Sequence, residues 1–216
     1  MFTNRDDAAL QLSLALHQYN DQNVLVIGTP CGGLESAYYL AGQLNAELGF
    51  IITQELVYPM NPDTTFGTLT EDGTQYVSPA ARKHLSLEEI ELLVEKGKRG
   101  MQRLITVFRE ENKFPCVYQR TVIITDDGTA PASTIQAMVD VCRRRVAHKI
   151  VVALPTASSR TEQSLLEVAD DVVVLERFDL YNPREEEYAM LPKTTVETAM
   201  YLLKKWQQDH EVTLIQ

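Results

Sequence analysis

A chain of 216 residues with 44% hydrophobic and 23% charged residues has the make-up of an ordinary globular domain, long enough to bury a sizeable core. Thirty acids against twenty bases give a formal net charge of −10, which disfavours nucleic acid as the main partner, because neutralising phosphates needs a basic face. No apolar run approaches the ~20 residues of a membrane span, and the start, Met-Phe-Thr-Asn-Arg-Asp-Asp, carries acids where a signal peptide carries bases.

In chain order, Ala8, Leu10, Leu14, Leu16 and Tyr19 give residues 7–19 a helical pattern with Asp6 or Asp7 as its cap. Residues 24–28, Val-Leu-Val-Ile-Gly, are a short apolar strand. Gly32 and Gly33 then lead into a helix through Leu44, and residues 48–52 form a second strand. This β-α-β spacing implies a parallel pair with a right-handed crossover. Tyr58-Pro-Met-Asn-Pro is a loop by its prolines, and the alternation from Phe66 to Val77 around Glu71-Asp72-Gly73 signals a hairpin. Ser86 and Glu89 make a capping box for a long helix reaching about residue 111, with Gly97 and Gly100 expected to break or kink its middle.

Val122, Ile123 and Ile124 form a β-branched run that reads as a strand buried on both faces. Asp126 and Asp127 follow at its C-terminal end, then a small-residue turn, then a helical pattern opening at Ser133 or Thr134. Residues 149–155 and 171–175 are further strands, with a short helix at 161–169 between them. A polar loop at 182–187 precedes a last helix capped by Thr194 or Thr195. Five parallel-type strands alternating with helices argue for a doubly wound sheet that binds ligands at its C-terminal edge. The loops after Ile27, Ile52 and Ile124 should then converge on one site. The cysteines (Cys31, Cys116, Cys142) and the histidines (His17, His84, His148, His210) are scattered, so no metal site built from side chains is expected, and a reduced, cytoplasmic chain is the simplest reading.

The stretch 121–134 carries the chemistry. The first amides of a helix have no internal partner, so a strand, a turn and a helix start together make an anion cradle. Two acids beside such a cradle suit a ligand with a phosphate at one end and vicinal hydroxyls at the other, a sugar phosphate. The segment resembles the 5-phosphoribosyl diphosphate (PRPP) motif of type I phosphoribosyltransferases, a strand followed by Asp-Asp, small residues and Thr-Gly-x-Thr. The resemblance implies that Asp126 and Asp127 hold the ribose hydroxyls, while Thr129, Ala130, Pro131, Ala132, Ser133 and Thr134 wrap the 5-phosphate. The family's Thr-Gly is replaced by Pro131-Ala132. Proline has no N–H, and a lost hydrogen bond to a charged group is worth roughly 1.5–3 kcal/mol.

Gly28-Thr-Pro-Cys-Gly-Gly resembles the family's diphosphate loop, which in a branch of small bacterial relatives reads Gly-Leu-Pro-Arg-Gly-Gly. By that resemblance Thr29, Pro30, Cys31, Gly32 and Gly33 hold diphosphate, with Cys31 in place of the arginine. An ordinary βα turn is the alternative reading. Cys31 is either a thiol activated by the helix start or, the favoured reading, a small inert residue. Gln54-Glu55 replaces the branch's basic pair, while Asn61-Pro62-Asp63, Phe66-Gly67 and Glu71-Asp72-Gly73 follow its pattern. Arg99, Arg103 and Arg109 recur at helical spacing and are by default a solvated face; they would supply cations if their helix folds over the pocket.

The resemblance covers nearly the whole chain. It implies a single α/β domain over 1–216 with a parallel sheet flanked by helices, and a hood subdomain from residues 54–80 plus 176–195. It also implies a transfer of the phosphoribosyl group from PRPP, with Mg²⁺ bound alongside diphosphate, and a homodimer as the assembly. The second reading is a catalytically inactive protein of the same fold that binds a metabolite or a partner. Each departure removes a donor or a positive charge, and together they could exceed the ~8 kcal/mol that a modest enzyme supplies.

Overall fold

The computed structural model describes residues 1–20, 22–110, 112–178 and 187–211; of the polar loop expected at 182–187, all but Glu187 lies outside the described residues. The elements in order are α1 (Arg5–Ala15), β1 (Val24–Gly28), α2 (Gly32–Leu44), β2 (Glu47–Phe50), β3 (Thr53–Tyr58), β4 (Asn61–Thr70), β5 (Gln75–Val77), α3 (Ala81–His84), α4 (Leu87–Phe108), β6 (Thr121–Thr125), α5 (Ala132–Arg144), β7 (Lys149–Ser158), α6 (Ser159–Leu166), β8 (Asp171–Phe178) and α7 (Val196–Glu211).

Alternation decides which helix covers which face of the sheet. Leu25, Ile27, Val122, Ile124, Ile150 and Val152 point one way, onto Ile135, Met138 and Val139 of α5. Val24, Val26, Ile123, Val151 and Ala153 point the other way, onto Leu12 of α1 and onto Ala37, Leu40 and Leu44 of α2. Each strand is therefore apolar on both sides, as a parallel sheet covered by helices requires. The five-stranded sheet runs β2-β1-β6-β7-β8 with every pair parallel. From β1 the chain goes first to β2 on one side and later to β6 on the other, so the loops leaving β1 and β6 stand next to each other at the point where the order reverses. That is where an open α/β sheet leaves a crevice.

A second, antiparallel sheet, β3-β4-β5, fills residues 53–77. The prolines at 59 and 62 do not make a free loop: Tyr58 pairs with Asn61, so they sit at the tip of a hairpin. The turn at Glu71-Asp72-Gly73 forms as expected, with Asp72 Oδ1 accepting from the Thr74 amide at 3.0 Å and from the Thr70 hydroxyl at 2.8 Å. The long helix α4 runs unbroken through Gly97 and Gly100, against expectation. A Cβ at Gly97 would lie 2.7 Å from Leu56 Cδ2, and one at Gly100 would lie 2.7 Å from Gln54 Oε1. The glycines let the helix close onto β3, and that packing outweighs their weak helix propensity.

Other boundaries shift for local reasons. α1 is capped by Asn4, whose Oδ1 accepts from the Asp7 amide at 3.0 Å, and Asp7 instead sits in the first turn, where it complements the helix dipole. α5 opens at Ala132, with Pro131 as its extended N-cap residue. The described residues of the C-terminal segment do not join β3–β5. They pair with the N-terminus, the Phe2 amide donating to the Glu187 carbonyl at 2.6 Å and the Ala189 amide to the Phe2 carbonyl at 2.7 Å, while Tyr188 and Leu191 pack on Phe2 and Ala8. Among the described residues no helix is long and apolar enough to cross a membrane.

Candidate functional site

The loops after β1 and β6 and the start of β3 converge on one cleft of about 550 Å³. Its lining includes Thr29, Pro30, Cys31, Gly32, Gly33, Thr129, Ala130 and Thr134, together with Asp126, Gln54 and Glu55. Asp127, Pro131, Ala132 and Ser133 are not on its wall.

The two acids have unlike surroundings. Asp126 is 2% exposed and lines the cleft. Its Oδ1 accepts from the amides of Gly128 at 3.1 Å and Ala130 at 2.9 Å, and its Oδ2 accepts from the Thr29 hydroxyl at 2.9 Å. Burial, and then the charge of Asp127, push its carboxyl up from 3.8 to about 7. Asp127 faces away from the cleft. Its Oδ2 takes two hydrogen bonds from the Arg5 guanidinium, at 3.0 and 2.8 Å, and its Oδ1 takes the Thr129 amide at 3.0 Å and the Thr129 hydroxyl at 2.6 Å. Burial works against its charge, but the bonds from Thr129 and Arg5 outweigh that and hold Asp127 below the usual carboxylate range. A hydrogen-bonded carboxylate facing a guanidinium stays ionised, and its neighbour, with no cation of its own, keeps a proton to higher pH.

Asp126 therefore contributes stability that is fully present below its unfolded value near 3.8 and is lost as pH rises through about 7. Asp126→Asn keeps an acceptor for the Gly128 and Ala130 amides and removes the ionisable group. It should raise unfolding free energy by roughly 1–3 kcal/mol at pH 8 and change it little at pH 4, read by urea titration at both pH values. No gain at pH 8 would mean that the carboxylate is not strained.

The glycine frame is explained by closeness to these acids. A Cβ at Gly33 would lie 2.7 Å from Asp126 Oδ2 and 2.3 Å from Thr29 Oγ1, and one at Gly32 would lie 2.3 Å from Asp127 Oδ2. Cys31 takes φ 69°, ψ −112°, a backbone region that favours glycine. Burial pushes its thiol up, with Lys193 opposing and Glu197 adding, so the inert reading of Cys31 suits its surroundings better than an activated thiol.

Off the cleft wall, at the start of α5, the amides of Ala132 and Ser133 have no acceptor among the described residues, as a helix start leaves them. The amides of 128–130 are turned onto Asp126 and Asp127 and are already engaged. The Ser133 and Thr134 hydroxyls each lie 3.1 Å from Thr68 Oγ1 on β4, tying α5 to the antiparallel sheet. Gly128, at φ +90°, rests against Thr156, whose own hydroxyl is buried without a partner among the described residues. Sequence reasoning missed Arg5, Thr68 and Thr156. Arg5 lies 122 residues from the acid it binds, and no local pattern links them.

No protein-family model matches the chain. A curated relative from Mycobacterium tuberculosis strain H37Rv, named "Putative phosphoribosyl transferase Rv0571c", is 28% identical over 211 residues, or 97% of this chain and 48% of the relative. Among solved structures, a protein from Thermus thermophilus superposes with a TM-score of 0.81 at 24% identity, covering 95% of this chain and 98% of that one. A hypoxanthine-guanine phosphoribosyltransferase from Bacillus anthracis gives a TM-score of 0.50 at 11% identity, covering 89% and 94%. The chain has the type I phosphoribosyltransferase fold. It spans about half the length of the curated relatives it matches. In the frame of that fold, the Asp126 cleft lies at the crevice between β1 and β6.

Proposed function

We propose that the cleft binds PRPP or a closely related phosphorylated ribose and transfers its phosphoribosyl group to an acceptor. One observation carries this reading: Asp126, a carboxyl poised near neutrality, lines a crevice together with the glycine-framed loop 29–33, which rests against it. In this reading Asp126 hydrogen-bonds a ribose hydroxyl, and Thr129, Ala130 and Thr134, on the cleft wall beside the start of α5, border the 5-phosphate. Loop 29–33 borders the diphosphate. Asp127 is a buttress, held by Arg5, that keeps Asp126 from sharing its charge.

During transfer the bond from C1 of the ribose to the diphosphate oxygen breaks as a bond from the acceptor nucleophile to C1 forms. The sugar becomes cationic between them, and the diphosphate leaves with the electron pair. Asp126 fixes the sugar in place and lends it negative charge, so positioning and electrostatics do the work. Mg²⁺ would neutralise the leaving diphosphate. Among the described residues no cluster of three ligating side chains exists to hold the ion alone. Asp126 and Glu55 nevertheless line the cleft, and Mg²⁺ is commonly bound by one or two carboxylates together with substrate phosphates. These residues therefore fit an ion that arrives with its ligand.

A second reading, a non-catalytic binding protein, is favoured by one fact: among the described residues the cleft wall carries neither lysine nor arginine. Calorimetry with PRPP and Mg²⁺ separates the two. Binding that weakens at least about tenfold in Asp126→Asn supports the site, and diphosphate release on adding acceptor amines supports transfer. Absence of heat at millimolar PRPP would overturn the ribose reading.

A further inference from the structure

Beside the cleft, and sharing Gln54, Glu55 and Val57 with it, a second groove of about 780 Å³ runs between β3 and α4. Its helix wall carries Lys96, Arg99 and Arg103, spaced three and four apart and so on one face of α4. All three are exposed, and none forms an ion pair among the described residues. Glu95 of the same helix pairs with Lys98, and Glu55, at the rim of the groove, accepts from the Thr65 hydroxyl at 2.6 Å without pairing with any of the three among the described residues. Three unpaired cations on one groove stand out in a chain of net charge −10. Like charges at such spacing repel one another, and an anion laid between them would turn that repulsion into attraction.

Beyond the rim at Gln54 and Glu55, the opposite wall carries the apolar Leu56, Val57, Tyr58 and Pro59, and Leu93 of α4 adds to that apolar surface. A bare diphosphate or phosphate would leave that wall unused. A compound with an acidic group and an apolar body would use both sides. Gly97 and Gly100, which allow α4 to approach β3, set the groove's width.

We propose that this groove binds an acidic compound with an apolar body, and that this compound is the acceptor whose reactive end reaches the neighbouring cleft over the shared rim at Gln54, Glu55 and Val57. The acceptor role rests on the phosphoribosyl reading of the cleft; binding of the anion does not. Cations absent from the cleft wall among the described residues thus stand on α4, where they select the second substrate.

Calorimetry with phenyl phosphate and benzoate, and with uncharged benzamide as control, tests the proposal on the full chain. The wild-type protein should bind both anions and not benzamide. The double variant Arg99→Gln, Arg103→Gln should weaken phenyl phosphate at least about tenfold, whereas Asp126→Asn should bind it as the wild type does. Because Arg99 and Arg103 are exposed, the double variant should keep its fold, which circular dichroism checks. Equal binding by the double variant, equal binding of benzamide, loss of binding in Asp126→Asn alone, or no anion binding up to about 10 mM would each overturn it. A wild-type protein that takes phenyl phosphate in the groove but not PRPP upholds the groove and removes the ribose reading. The reverse result overturns the groove alone.

Discussion

Replacing Arg5 with alanine should destabilise the protein by about 3–5 kcal/mol at pH 7, because it leaves the Asp127 carboxylate buried and uncompensated. The pair is 5% and 2% exposed, with two bonds from one guanidinium to Asp127 Oδ2. The same guanidinium donates to the Pro192 carbonyl at 2.8 Å and lies 3.4 Å from Glu35, so one side chain ties α1, α2, the β6 loop and the C-terminal segment together. The pH dependence has a definite sign. Asp127 is held below the usual range, so its contribution is present above its unfolded value and is lost on acidification. In Arg5→Ala that carboxyl can take a proton, so the deficit should shrink towards pH 4. Urea unfolding at pH 7 and pH 4 reads both effects. A deficit below about 1 kcal/mol at pH 7 would show that the pair is not what holds these elements.

Glu71→Ala should cost a similar amount, about 3–5 kcal/mol, since it strands the Arg109 guanidinium. Arg109 Nε donates to Glu71 Oε2 at 2.7 Å and its Nη2 to Glu71 Oε1 at 2.6 Å, while Nη2 also reaches the Phe50 carbonyl at 2.8 Å. The guanidinium stacks 3.9 Å above the Phe50 ring, and Glu71 Oε1 takes the Ile52 amide at 2.8 Å. This cluster fastens the β4–β5 turn to the end of β2 and to the C-terminus of α4. Glu71→Gln, which keeps the acceptor for Ile52 and loses only the charge, should cost less than half as much. Equal losses in the two variants would assign the effect to the charge of the ion pair and not to the Ile52 amide bond.

Much of the fold is legible locally. The runs at Val24 and Val122 are apolar at nearly every position, so they need cover on both faces, and helices lie between them in sequence. The capping box at Ser86 and Glu89 forms with both of its bonds. Where expectation and structure part, tertiary contacts explain it. Gly97 and Gly100 look like helix breakers until Leu56 and Gln54 are seen packed against them. Helical spacing groups Arg109 with Arg99 and Arg103 as a solvated face, yet Arg109 is clamped by Glu71 while the other two stay exposed. Spacing along a helix cannot tell these apart, because the partner comes from another sheet.

The candidate site divides in the same way. A strand ending in two acids and a helix start is a short-range pattern, and so is the glycine frame after β1. Those residues are adjacent in the chain, so the sequence alone established that an acidic, amide-rich crevice exists and that the sheet is parallel. Which of the two acids faces the crevice is a different kind of fact. It depends on Arg5 reaching Asp127 across 122 residues of chain, and that contact both neutralises one carboxylate and leaves the other near neutrality. The direction of a charge, and of the proton beside it, is set by what folding brings within hydrogen-bond range, and only the tertiary structure decided that.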